Sequence, residues 1–340
     1  MRFALFGALI VTLAAAARAQ APPFIHVPQT VSDEWRAVLR EFGDPALRPA
    51  YPSPGDLAGW KQLQAEVEAQ SKPQMARVVK HFAATIRRRR IGGVDVLDIT
   101  PKRRRSGNEL LVYTHGGGYV LFSAESTLVN SLVVADVTGL RVIAIDYSLA
   151  PAAKWREVTD QVVAVFGGLY REGHAPEDIA IFGESAGGGL AAGAVLKLRD
   201  RGLAMPAAVV LWSPWADLTE TGDSYHTLKH AETSFTYDRH LEHAAGAYAA
   251  PEEQKIGYVS PVYGDYSKGF PPTLIQGGTK EILLSGFIRL YQAIDTAGAT
   301  VKLDLYEGMP HAFQLQLPGA PESRTALGKT IAHLEHYLIR

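Results

Sequence analysis

The stretch Gly183-Glu184-Ser185-Ala186-Gly187 is the part of this sequence best suited to covalent chemistry. An alcohol is a weak nucleophile, and it reacts only when held free of crowding and next to a base. A strand turning sharply into a helix presents a serine in that way. Glycines two positions to either side remove the side chains that would collide in the turn. Ile179 to Phe182 reads as the strand and Ala186 to Arg201 as the helix. The N–H of Ala186 then lies at a helix start, where unpaired donors and the helix dipole favour negative charge. The chemistry implied is nucleophilic attack by Ser185 on a carbonyl, with an oxyanion developing beside it.

An oxyanion needs two or three N–H donors converging on one oxygen, and backbone donors approach it only where side chains are absent. His115-Gly116-Gly117-Gly118, at the exit of the short apolar run Leu110 to Thr114, supplies that. Gly117 and Gly118 are expected to donate together with Ala186, and His115 to orient the loop. This arrangement, with Gly188 extending the serine motif, resembles the hormone-sensitive-lipase-like esterases, the bacterial family IV branch of the α/β hydrolases. Asp146-Tyr147-Ser148-Leu149-Ala150-Pro151 and Ser213-Pro214-Trp215 are similar to further segments of that family. The likeness runs from about Arg90 to the C-terminus. It implies an α/β fold: an eight-stranded, mostly parallel sheet with helices on both faces and a helical lid built partly from the N-terminus. It also implies cleavage of short-chain carboxylic esters, with no metal or organic cofactor.

In this architecture the nucleophile, acid and histidine follow in that order along the chain. Of the 11 histidines only His311, in Gly308-Met309-Pro310-His311-Ala312-Phe313, falls in a loop beyond the last strand-like run. It is the expected general base. His226, His230, His240 and His243 are scattered through 213–270 and read as surface or lid residues; they form no metal site. The acid belongs after the strand Thr273 to Gln276, where the family usually carries Asp. Here the loop reads Gly277-Gly278-Thr279-Lys280-Glu281-Ile282-Leu283-Leu284, which puts Glu281 at that position. Glutamate can orient an imidazole as aspartate does. The variant is similar to a subgroup that includes lactone and terpenoid-ester hydrolases. Asp304 is the weaker alternative, because it lies within a strand pattern. Asp146 and Asp160 read as structural, Asp160 as a buried, hydrogen-bonded brace. After Pro151 the chain departs from the family's usual sequence, which reshapes a loop without touching the triad.

The elements that must position these residues alternate strand with helix. Thr85 to Ile91 and Val94 to Thr100 flank Gly92-Gly93 as a hairpin. Leu110 to Thr114, Arg141 to Ile145, Ile179 to Phe182, Ala207 to Trp212, Thr273 to Gln276 and Lys302 to Tyr306 follow, most of them separated by helical stretches. Such alternation predicts a mostly parallel sheet covered on both faces. Residues 20–84 read as an N-terminal helical lid segment and 85–340 as the catalytic domain. The segment 213–270 interrupts the alternation as a lid insertion.

With 340 residues, 47% hydrophobic, the chain can bury a large core without staples. It has no cysteine, which excludes disulfides, thiolate metal sites and thiol catalysis. A net charge of −1 gives no reason to expect nucleic acid as a partner. The basic runs Arg87 to Arg90 and Lys102 to Arg105 read as solvated sequence around the hairpin. Met1-Arg2, an apolar stretch to Ala16 and then Ala17-Arg18-Ala19 match a secretory leader. Residues 1–19 are therefore expected to be a signal peptide and the mature protein to be exported, with no stable membrane insertion. The expected partner is a small-molecule ester, and a homodimer is left open. Two other readings share these residues: an amidase or deacetylase using the same triad, and a non-catalytic ligand-binding relative, which would be expected to lack the histidine.

Overall fold

The computed structural model describes residues 24–338. The leader expected over residues 1–19 lies outside them. Two helices come first, α1 (Asp33–Glu41) and α2 (Leu57–Phe82), and then the hairpin β1 (Thr85–Ile91) and β2 (Val94–Thr100). The alternating part follows: β3 (Leu110–Thr114), α3 (Leu128–Thr138), β4 (Arg141–Ile145), α4 (Trp155–Arg171), β5 (Ile179–Glu184), α5 (Ala186–Asp200) and β6 (Ala208–Trp212). After β6 come the short helices α6 (Ser224–Thr227) and α7 (Glu242–Tyr248). The chain ends with β7 (Thr273–Gly278), α8 (Leu284–Thr296), β8 (Val301–Tyr306), α9 (Phe313–Gln316) and α10 (Pro321–Tyr337).

The eight strands lie in the order β1-β2-β4-β3-β5-β6-β7-β8. The pairs β1–β2 and β2–β4 are antiparallel, and the others are parallel. The central strands are mostly apolar because both of their faces are covered. Leu110 and Val112 of β3 pack on one side with residues of α4 and α5. Leu111 and Tyr113 pack on the other with residues of α2, α3 and α10. This is the helix–sheet–helix sandwich that the strand–helix alternation predicts.

Register decides where the loops gather. Thr114 pairs with Gly183, Glu184 with Trp212, Trp212 with Gln276, and Gly278 with Tyr306. The parallel strands therefore end along one edge of the sheet. The segments that leave them, 115–118, 185–188, 213–215, 279–283 and 307–311, emerge side by side, as open α/β sheets place their ligand crevices.

The N-terminal segment and the chain between β6 and β7 join in one covering layer. Arg48 donates to the carbonyls of Ser234 and Thr233 at 2.6 and 2.8 Å. Tyr51 N donates to Arg239 O at 2.9 Å, and the His243 ring reaches Tyr51 O at 2.6 Å. Among the described residues no helix is long and apolar enough to cross a membrane. Three of the four arginines of β1 are ion-paired: Arg88 with Glu125, Arg89 with Asp98 and Glu172, and Arg90 with Asp95. One expectation needs correction. Asp160 is not a buried brace; its side chain is 45% exposed and pairs with Lys197 and Arg201, because α4 turns that position to the rim where α5 carries its cations.

The turn from β5 into α5 is packed against β3 backbone to backbone. A Cβ built on Gly187 would stand 2.1 Å from the Thr114 carbonyl oxygen, which cannot move without breaking the β3 ladder. Gly328, exposed on α10, would meet nothing within 4 Å. In urea unfolding, Gly187→Ala is expected to lose about 3 kcal/mol or more through overpacking. Gly328→Ala should gain roughly 0.5–1 kcal/mol from helix propensity.

Candidate active site

Ser185 sits at the turn with φ 57° and ψ −127°, a conformation that costs a non-glycine residue on the order of 1–3 kcal/mol. Neighbouring backbone holds it there. Ser185 N donates to Trp212 O at 2.9 Å, and Trp215 N donates to Ser185 O at 2.8 Å. The serine is thus stitched to the exit of β6 on both sides of its own Cα.

The glycine loop after β3 lies directly against the serine. A Cβ on Gly116 would fall 3.1 Å from Ser185 Cβ. Gly117 and Gly118 follow with φ of 107° and 64°, which turns the chain in a way side chains resist. The N–H groups of Gly117, Gly118 and Ala186 donate to no acceptor among the described residues. His115 is buried beneath this loop, its ring stacked on Tyr147 with centroids 4.0 Å apart. Its Nδ1 lies 2.8 Å from Gly116 O, and Tyr147 donates to its carbonyl at 2.7 Å. Burial pulls its pKa down to about 4, so at neutral pH it is an uncharged brace for the loop.

His311 and Glu281 meet as expected. The imidazole Nδ1 stands 2.7 Å from Glu281 Oε2. Glu281 is wholly buried, and its Oε1 accepts from Ser213 Oγ at 2.8 Å and from Gly278 N at 2.5 Å. Ser213 Oγ in turn accepts from Ala312 N at 2.9 Å. A Cβ on Gly278 would stand 1.9 Å from Met309 O, so only glycine lets the β7 exit approach the histidine loop this closely. Burial alone would lower the pKa of His311. The hydrogen bond and charge of Glu281, with the charges of Glu232 and Glu184, outweigh it and hold the pKa above the ordinary 6.5. With Nδ1 engaged on the carboxylate, Nε2 is the nitrogen left to accept a proton. In this structure the only side-chain hydrogen bond of the ring among the described residues is the one to Glu281, and none joins it to the Ser185 hydroxyl.

Asp304, the weaker candidate, is turned to other partners: it accepts from Gln276 Nε2 at 2.9 Å and pairs with Lys329. Asp146 accepts from Ala124 N at 2.9 Å and braces a loop. Of the four scattered histidines, His226 and His230 are exposed, His243 is half-buried and His240 is buried. Among the described residues no group of three or more His, Cys, Asp or Glu could hold a metal ion.

Two contributors sit within quoted motifs, but the sequence assigned neither a role. Ser213 links the acid to the histidine loop, and Glu184 props the glycine loop. The Glu184 Oε1 accepts from Gly116 N at 2.8 Å, Tyr113 OH at 2.9 Å and Asn130 Nδ2 at 3.0 Å. Burial raises its pKa to about 7.

Comparison with known proteins identifies the family and the fold. A family model described as alpha/beta hydrolase fold matches residues 111–315. An acetyl-hydrolase of Streptomyces hygroscopicus is 35% identical over 66% of this chain and 74% of its own length. An esterase of Acinetobacter venetianus is 33% identical over 71% of this chain and 79% of its own. Among solved structures, an esterase at 29% identity superposes with a TM-score of 0.86, covering 96% of this chain and 99% of its own. An esterase from the bacterial hormone-sensitive lipase family, 32% identical, superposes at 0.72 over 75% of this chain and 85% of its own.

Removing the Ser213 hydroxyl leaves Ala312 N without its acceptor and Glu281 with one donor fewer. Ser213→Ala should slow modification of Ser185 by a fluorophosphonate about tenfold, the effect of one buried hydrogen bond of roughly 1–1.5 kcal/mol. Labelling kinetics on the two proteins measure this directly.

Proposed function

This chain belongs to the alpha/beta hydrolase fold family, and from that premise we propose that it is a carboxylesterase that cleaves small or short-chain acyl esters through an acyl-enzyme on Ser185. The observation that carries the reading is the 2.7 Å bond between His311 and Glu281, on the sheet edge where the strained serine emerges. Ser185 Oγ attacks the ester carbonyl carbon, and its proton passes to His311 Nε2. Glu281 holds the ring in the required tautomer and stabilises the imidazolium. The N–H groups of Gly117, Gly118 and Ala186 bind the oxyanion. As the C–O bond to the alcohol breaks, His311 returns the proton to the leaving oxygen. Water then attacks the acyl-enzyme and gives its proton to His311. The carboxylic acid leaves as Ser185 recovers its hydrogen.

Preference for a small acyl group is supported by the wall beside the glycine loop. A Cβ on Gly118 would meet Ala244 Cβ at 3.4 Å and Trp215 at 4.0 Å. Tyr119 stacks on Tyr248 with ring centroids 3.8 Å apart and packs against Trp215 at 5.7 Å. These bulky, buried rings stand beside the loop proposed to hold the oxyanion, which favours a small acyl group there. The names of the relatives, acetyl-hydrolase and esterase, point the same way. The N-terminal segment and the 213–270 insertion serve as the lid, and the leader-like first 19 residues support export.

A series of p-nitrophenyl esters from acetate to palmitate, with a lactone and an anilide added, tests the proposal. Acetate to butyrate should turn over fastest, and Ser185→Ala should lose both turnover and fluorophosphonate labelling. Fastest turnover of palmitate would refute the small-acyl reading. Because His311 must be neutral to accept a proton, activity should fall as pH drops through its pKa. The acid limb of kcat/KM should therefore inflect above 6.5, the ordinary imidazole value.

A further inference from the structure

Glu232 lies between β6 and β7 in no recognisable motif, yet it is a carboxylate with only 1% of its surface exposed. Its Oε1 accepts from Thr233 N at 2.8 Å and Ser234 N at 2.7 Å. Its Oε2 crosses to the acid-bearing loop and accepts from Ile282 N, next to Glu281, at 3.1 Å. The carbonyls of Thr233 and Ser234 take the two arms of the Arg48 guanidinium. Phe235 then sets its ring edgewise on the His311 imidazole, centroids 4.9 Å apart. Four consecutive residues of the insertion thus touch the acid loop, the N-terminal segment and the histidine.

We propose that Glu232 is a positioning residue that clamps the insertion onto the His311–Glu281 pair and supplies a second negative charge to stabilise the imidazolium formed during catalysis. The proposal rests on the reading of His311 as the general base. A peg that only joined two loops would need an acceptor for Ile282 N and no charge, and burying a carboxylate is costly. The charged groups facing Glu232 are His311 and Glu281 across the acid loop and Arg48 from the N-terminal segment. Glu184 faces His311 from the serine side. Burial raises the Glu232 pKa to about 7, while the His311 charge and the backbone donors pull it back down. Each charge favours the other, so Glu232 is held ionised most firmly when His311 carries its proton.

The test is the pH profile of kcat/KM on p-nitrophenyl acetate for the native protein, Glu232→Gln and Glu232→Asp, beside Ser185→Ala and Glu281→Gln. Removing a negative charge near His311 lowers the pKa of the imidazole. In Glu232→Gln the acid limb should therefore move to lower pH by roughly half a unit, and the plateau should fall about threefold, the same free energy read as a rate. Glu232→Asp keeps the charge and should leave the limb at its native position. An unmoved limb in Glu232→Gln, whatever the plateau does, overturns the proposal. Should Glu232→Gln not fold, carboxyl and imidazole NMR of the native protein decides. The Glu232 carboxyl should titrate well above the ordinary carboxylate range, with His311 responding at the same pH. Titration of the Glu232 carboxyl with no response from His311 overturns it. Native rates in Ser185→Ala or Glu281→Gln would remove the triad reading and this proposal with it. Their inactivation, with an unmoved limb in Glu232→Gln, removes this proposal alone.

Discussion

The site hangs on one fully buried carboxylate. Glu281 sits where water cannot reach it, and such a charge is tolerated only when its oxygens are occupied by donors. Its three partners come from three separate stretches: Ser213 at the exit of β6, Gly278 at the end of β7, and His311 beyond β8. Satisfying that one group fixes the spacing of three loops. Ser213 extends the link by accepting from Ala312 N, and residues 212–215 complete it by holding Ser185 on both sides.

Close backbone approach is the second constraint. Gly187 against Thr114 and Gly278 against Met309 bring main chains to distances that any Cβ would prevent. Interiors packed at crystal-like density have no slack to absorb one. The strain at Ser185 is tolerated for the same reason: hydrogen bonds to Trp212 and from Trp215 determine its backbone on both sides. Rigidity here serves orientation, since a hydroxyl and an imidazole react only within a narrow range of mutual positions.

Three buried carboxylates, Glu281, Glu184 and Glu232, act electrostatically on His311 and raise its pKa against the pull of desolvation. Each also ties down a different piece of backbone: Glu281 the end of β7 at Gly278, Glu184 the glycine loop at Gly116, and Glu232 the acid loop at Ile282. The same side chains that shape the loops therefore set the charge environment of the imidazole. Around Ser185, the N–H groups of Gly117, Gly118 and Ala186, which donate to no acceptor among the described residues, provide positive potential.

The sequence by itself determined whatever depends on near neighbours in the chain. The strand-to-helix turn at Ser185, the glycine run after β3, the strand–helix alternation and the loop carrying His311 are local patterns, legible because turns and periodicity are local physics. Glu281 was legible only through its place after β7, and Asp304 ranked below it only because it lies within a strand pattern. Tertiary structure decided that, by turning Asp304 to Lys329 and Gln276 and Glu281 to the imidazole. It alone gave Ser213, Glu184 and Glu232 their contacts, and it placed Asp160 at a half-exposed position, paired with the buried Lys197 and with Arg201. Ser213 meets Ala312 across 99 positions and Glu232 meets Ile282 across 50. A hydrogen bond between residues that far apart leaves no local pattern, because only the packing of the whole chain brings them within reach.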